Sequence, residues 1–200
     1  MTGALAAELR AISPAELVAM LLALAYLLLA YRRSRWCWVA GGVSSAISIV
    51  LFARARLPMQ AALQVYYVLM SIYGFHHWSR DRDAAERPIS SAPVRFHLAA
   101  CAALVAASLA TAHWLQTETQ AAWPYLDSLT TWGSLFATWL VARVKLENWI
   151  YWFVIDAALA FLFAAQKLYL FALLSLVYLA IVIVGYLSWL KSYRTQRSLA

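Results

Sequence analysis

Charge is what this chain has least of. Asp, Glu, Lys and Arg make up 12% of its 200 residues, about half the usual share in a soluble domain. Acids are the scarcer sign, nine against sixteen basic residues. An enzyme needs nucleophiles, acids or metal ligands gathered at one depth. No G-x-S-x-G, H-E-x-x-H or glycine-rich phosphate loop occurs here, so neither catalysis nor a cofactor nor a metal site is expected. Cysteine is nearly absent too. Cys37 and Cys101 have no disulfide or zinc spacing and, with small or apolar neighbours, read as buried free thiols. The first dozen residues are weakly amphipathic and lack the basic start of a secretory signal.

What fills the space is apolar. Hydrophobic residues reach 64% and the mean hydropathy is +0.69, which predicts an all-α integral membrane protein built as one domain over residues 1–200. The net charge of +7 and pI near 9.6 could suggest nucleic acid. The basic residues fall in short clusters between apolar runs, however, which is the pattern of topology signals; nucleic acid is not an expected partner. Ser13-Pro14-Ala15-Glu16 combines an N-cap, a proline at N1 and a glutamate at N3, and opens the first span. Spans are expected to end near Tyr31, then to run over 36–53, 58–78, 95–114, 125–141, 148–166 and 168–190, each long enough for a hydrocarbon core of about 30 Å. The polar segment 79–94, with Pro88 and Pro93, is the longest loop. The alternate turns and the tail hold Arg32, Arg33, Arg35; Arg80, Arg82, Arg87, Arg95; Arg143, Lys145; and Lys191, Arg194, Arg197. Those are twelve of the sixteen basic residues, Arg10, Arg54, Arg56 and Lys167 being the others. The positive-inside rule then puts the N-terminus outside and the C-terminus in the cytoplasm.

The chain also matches itself when moved by 111 positions. Arg32 meets Arg143, Trp38 meets Trp149, Leu57 meets Leu168, Tyr67 meets Tyr178, Gly74 meets Gly185 and Trp78 meets Trp189, without a gap. This implies two halves, residues 15–80 and 125–191, joined by a linker helix over 95–114. One span between them makes the repeat parallel, a 3+1+3 arrangement of seven spans. That is a transporter architecture, with its site between the halves at mid-membrane.

One stretch of the second half stands out, from Glu147 to Asp156. Trp149, Trp152, Phe153 and Asp156 share a helix face at i, i+3, i+4 and i+7. A carboxylate at the bilayer midplane costs at least ~2.5 kcal/mol, so Asp156 must face a partner or a watered cavity. Two aromatics beside it could seat a flat cationic solute. Alternatively the tryptophans belt the interface and the acid pairs with another helix.

Two segments resemble a known family. Gln64-Val65-Tyr66-Tyr67, Ile72-Tyr73-Gly74-Phe75 and Trp78-Ser79-Arg80 are similar to span three of the PnuC vitamin transporters. Asp127-Ser128 with Ser134, then Glu147-Asn148-Trp149 and Trp152, then Gly185 and Trp189, resemble that family's second half. The resemblance implies a SWEET-like fold in the bacterial inner membrane. It also implies facilitated diffusion of nicotinamide riboside, with a cytoplasmic kinase trapping the substrate, and a homo-oligomer, with a trimer as the implied form. Relatives carry thiamine or riboflavin, and a proton-coupled carrier remains an alternative. The chain departs from the riboside carriers at Asp156, where they usually show asparagine.

Nicotinamide riboside offers a pyridinium ring, a carboxamide and ribose hydroxyls. The candidate substrate residues are therefore Gln64, Tyr67 and Ser71 on one face of span three, and Thr131 and Ser134 on the polar stripe of span five. Asn148, Trp149, Trp152 and Asp156 on span six complete the set. Polar contacts between helices are the competing role for the first two groups. Glu147 is expected to pair with Arg143 or Lys145, or to gate. His76 and His77 diverge by about 100° on a helix, which argues against shared metal ligation. His97 and His113 receive no role.

Overall fold

The computed structural model describes residues 12–54, 58–80, 88–118, 123–165 and 169–198. The Leu57–Leu168 match, the first eleven residues, Gln166 and the basic residues Arg10, Arg56, Arg82, Arg87 and Lys167 lie outside them. The described residues form seven helices: α1 (Pro14–Tyr31), α2 (Trp36–Arg54), α3 (Pro58–Ser79), α4 (Val94–Glu118), α5 (Pro124–Ala142), α6 (Asn148–Ala165) and α7 (Tyr169–Ser198). The expected capping box is present. The Glu16 amide donates to the Ser13 hydroxyl at 3.2 Å, and the Ser13 amide donates to the Glu16 carboxylate at 2.7 Å. Two helices outrun their expected ends: α4 continues to Glu118, and α7 carries Lys191, Arg194 and Arg197 on its last turns rather than in a tail.

Among the described residues, four stretches are long and apolar enough to cross a membrane: Pro14–Tyr31, Trp36–Arg54, Val94–Glu118 and Ala172–Ser198, with mean hydropathies of 1.9, 1.7, 1.7 and 2.3. Asn148–Leu162 is apolar but shorter. The polar side chains of α3 and α5 lower their hydropathy, and many of them point inward. In α5, Ser128, Thr130, Ser134 and Thr138 are all buried, so its polar face is turned into the bundle and away from lipid.

The helices pack as α1 on α2 on α3 and as α5 on α6 on α7. Cross-contacts join α3 to α5 and α1 to α7, and α4 lies against α5. The same local geometry recurs 111 residues apart. Helix α1 ends with Arg33 at φ 55°, and α5 ends with Val144 at φ 51°. In each case the amide two residues past the C-cap reaches back to a carbonyl of the last turn, Ser34 to Leu29 at 2.9 Å and Lys145 to Leu140 at 3.0 Å, a Schellman closure. A β-branched residue in the left-handed region is strained. Val144 is held there by its carbonyl, which accepts from the Ser90 amide at 3.1 Å.

The core gathers at this arginine-rich end. Trp38 and Trp78 meet edge-to-face at 5.5 Å and 86°, and Trp149 and Trp189 at 5.4 Å and 86°. Only glycine fits opposite them. A Cβ on Gly74 would fall inside the indole of Trp38, and one on Gly185 inside that of Trp149. Cys37 is buried here, as expected. Cys101 is not: it lies exposed on α4, which covers only one flank of the bundle.

Candidate functional site

A polar cluster forms where α3, α5, α6 and α7 converge near the middles of their helices. Tyr67 of α3 shares a hydrogen bond with Ser134 of α5. Asp156 of α6 is 5% exposed and lies within electrostatic reach of both Tyr67 and Tyr178 of α7. Tyr26 of α1 in turn lies within reach of Tyr67. Next to Tyr67, the Tyr66 hydroxyl donates to the Leu135 carbonyl at 2.8 Å and pins α3 to α5. Asp156 is thus turned away from lipid into the packing between helices, among side chains that include the two phenols within its electrostatic reach. Phenols and a serine donate and accept, while an ionised carboxylate only accepts, so the group can hold a solute carrying several polar hydrogens.

Of the sequence candidates, Tyr67, Ser134 and Asp156 come together in this cluster. Gln64 lies half-buried three residues before Tyr67, on the same face of α3, and Thr131 is half-buried three residues before Ser134 on α5. The others lie apart from it. Ser71 is buried against α2, where Gly42 leaves room for it. Trp152 is half-buried against the tryptophan core. Asn148 and Trp149 stand eight and seven residues before Asp156, about 10–12 Å along the helix axis. Asn148 is fully buried and its side-chain amide donates to the Lys145 carbonyl at 2.6 Å, tying the start of α6 to the turn before it. Trp149, 2% exposed, is enclosed by Gly185 and Trp189. Several α5 hydroxyls are engaged with their own helix, Thr130 with Leu126 at 2.9 Å and Thr138 with Ser134 at 2.8 Å.

Two features escaped the sequence reading. Tyr178 was available as the 111-residue partner of Tyr67 but was read only as a mark of the repeat. The second is a polar junction on α4. His97 Nδ1 lies 3.0 Å from the Tyr151 hydroxyl, and its Nε2 lies 3.8 Å from Glu147. Glu147 pairs with neither Arg143 nor Lys145. Its carboxylate accepts from the Ser91 hydroxyl and from the Ala92 amide, fastening the segment before α4 to the start of α6. These partners are more than 50 residues away in sequence, beyond the reach of any local pattern. An open groove of about 540 Å³ lies beside this junction, lined by Ala92, Pro93, Arg95, Phe96, Trp139 and Lys145. None of the Tyr67–Asp156 cluster borders it.

Comparison with known proteins agrees with this architecture. The sequence model of the nicotinamide mononucleotide transporter family matches residues 13–191. The riboflavin/roseoflavin transporter RibM of Streptomyces davaonensis is 28% identical over 190 residues, covering 91% of this chain and 87% of that protein. The nicotinamide riboside transporter PnuC of Escherichia coli is 25% identical over 177 residues, covering 76% and 74%. The crystal structure of the vitamin B3 transporter PnuC superposes with a TM-score of 0.73 at 22% identity, over 89% of this chain and 81% of that one, a likeness of fold. The chain belongs to the nicotinamide mononucleotide transporter family and is a multi-pass membrane transporter.

Proposed function

We propose that this protein carries nicotinamide riboside across the bacterial inner membrane by facilitated diffusion, with the Tyr67–Ser134–Asp156–Tyr178 cluster as the centre of its substrate site. The observation that carries the reading is that these four side chains, one of them a buried acid, come from four helices into one region. Gln64 and Thr131 extend the site along α3 and α5. Asn148, Trp149 and Ser71 support it by fixing the helices. The chain crosses the membrane seven times in a SWEET-like 3+1+3 arrangement, α1–α3 and α5–α7 being the halves and α4 the linker. Support comes from the geometry repeated at 111 residues and from the reciprocal α3–α5 and α7–α1 contacts. The arginine-rich end is cytoplasmic, with the N-terminus outside and the C-terminus inside. There a kinase phosphorylates the substrate and prevents its return, so the chain itself needs no catalytic residue. It works as a homo-oligomer, a trimer.

A flavin is the second reading, favoured by the greater identity and coverage of the riboflavin relative. Thiamine is a third, suited to Asp156 because an aminopyrimidine donates to a carboxylate. Titrating the purified protein with nicotinamide riboside, riboflavin and thiamine separates them. The riboside should bind at least tenfold more tightly than the other two, and a preference for either vitamin would replace it. Uptake unchanged by an uncoupler accords with facilitated diffusion; its collapse would make Asp156 a proton carrier.

A further inference from the structure

Helix α1 reaches the polar cluster through Tyr26, which lies within electrostatic reach of Tyr67. Two contacts with α2 fix where its ring stands. Trp38 meets the ring edge-to-face at 5.9 Å and 67°. One turn further along α2, Gly41 lies against the same ring. A Cβ there would come within 2.9 Å of Tyr26 Cδ2 and 3.4 Å of its Cγ and Cε2. Any side chain at position 41 would therefore push the ring away from α2.

The matching positions 111 residues on carry the opposite arrangement. Tyr26 and Gly41 correspond to Ala137 and Trp152. Each group of three helices thus has one ring and one small residue at these places, but the ring comes from α1 in one group and from α6 in the other. Tyr26 and Trp152 both pack against the tryptophan core. The helix packing is met either way. Taking the ring from α1 puts a phenol on the helix face that reaches Tyr67, where α5 has only the methyl of Ala137.

We propose that Tyr26 is a specificity-determining residue of the substrate site, bounding it on the α1 side and excluding fused polycyclic solutes, with Gly41 setting how far the phenol projects. The inference rests on the reading of the Tyr67–Asp156 cluster as that site. A phenol seated on Gly41 and flanked by Trp38 has no room to retreat towards α2, so a solute must fit beside it. Nicotinamide riboside brings one aromatic ring. Riboflavin brings three fused rings and needs the volume that the phenol occupies.

The test uses the purified full-length protein in neutral detergent, with nicotinamide riboside, thiamine and riboflavin each titrated to give a Kd. Tyr26→Leu keeps an apolar side chain beside Trp38 but removes the ring. It should raise riboflavin affinity relative to the riboside by about tenfold. Tyr26→Phe keeps the ring and should leave that ratio within about twofold of the wild type. Gly41→Ala drives the ring towards the site and should lower both affinities, riboflavin the more. In Y26L/G41A there is no ring to move, and the ratio found for Y26L should return. A structural role alone would change Tm in these variants and leave the ratio flat. Should Y26L fail to fold, G41A carries the comparison through its opposite shift. A flat ratio in the folded variants, or an equal shift in Y26F, overturns the proposal and leaves the site reading in place. A wild type that prefers riboflavin overturns the proposal as well. If the wild type prefers thiamine, the riboside reading falls and the same ratio is taken against thiamine. A wild type that binds none of the three overturns the site reading and the proposal with it.

Discussion

Trp78 donates its indole N–H to the backbone carbonyl of Ala142 at 3.0 Å. Trp189, 111 residues later, makes the same bond at 3.0 Å to Tyr31, which itself precedes Ala142 by 111 residues. The third helix of each group of three closes onto the first helix of the other. Trp78→Phe and Trp189→Phe keep most of each ring but leave a carbonyl without its donor, a loss of about 1–3 kcal/mol each. The two costs should agree within about 0.5 kcal/mol, the range expected of independent equivalent sites. Chemical unfolding of both variants in detergent measures this, and one silent site beside one costly site would speak against equivalent halves.

Gly74→Ala should be damaging well beyond its single added methyl. The new Cβ would occupy the indole of Trp38, which is itself wedged edge-on against Trp78. Overpacking of this kind costs about 1–3 kcal/mol or more. Gly133→Ala is the comparison, because there the nearest atoms are the movable tip of Ile155 at 3.3 Å. Folded yield and Tm should fall sharply for the first and little for the second. Combining Gly74→Ala with Trp38→Leu should recover part of the loss, and no recovery would place the strain elsewhere.

How much could be read in advance follows from which contacts are local. The capping box at Ser13 and Glu16 was legible because both partners lie within one turn. The recurrence of the tryptophans and of the glycines was legible because the same residues appear twice at one spacing, but not that each glycine faces an indole. Asp156 drew notice because an acid in an apolar run must have a reason to be there. Tyr67 was named for the same site, but Tyr178 was not, since nothing in α7 alone says which of its faces meets α6. Trp149 misled for a related reason: its aromatic face suits a solute, but Gly185, 36 positions on, lets the helices close around it. Cys101 looked interior among small neighbours, yet α4 packs on one flank and the small residues on its other side are exposed.

His97 joins α4 to the start of α6. Its bond to Tyr151 at 3.0 Å and its approach to Glu147 at 3.8 Å predict an energetic coupling among residues of α4, α6 and the preceding turn. A double-mutant cycle with His97→Ala and Tyr151→Phe should give about 0.5–1.5 kcal/mol of interaction energy. Substrate preference should stay unchanged in both single variants, because the junction lies at the α4 flank and away from Tyr67 and Asp156. A cycle that closes at zero would mean that α4 is held by its apolar contacts with α5 alone.

Asp156→Asn tests the proposed substrate site at its buried acid. An ionised carboxylate 5 Å from a pyridinium or thiazolium gains roughly 3 kcal/mol at an effective dielectric of 20. Leaving water costs a similar amount, so the absolute affinity for any one cation need not move far. The ratio between ligands is more informative. Asparagine both donates and accepts and so suits a carboxamide, whereas aspartate accepts only and suits an aminopyrimidine or a ribose hydroxyl. If Asp156 touches the solute, Asp156→Asn should shift the ratio of nicotinamide riboside to thiamine affinity towards the riboside by about tenfold, one well-placed hydrogen bond's worth. Tyr178→Phe should lower both affinities together, since a phenol serves either ligand. Should the ratio stay flat while Tm changes, Asp156 serves the helix contacts with Tyr67 and Tyr178, and the solute is held by Gln64 and the α5 hydroxyls instead.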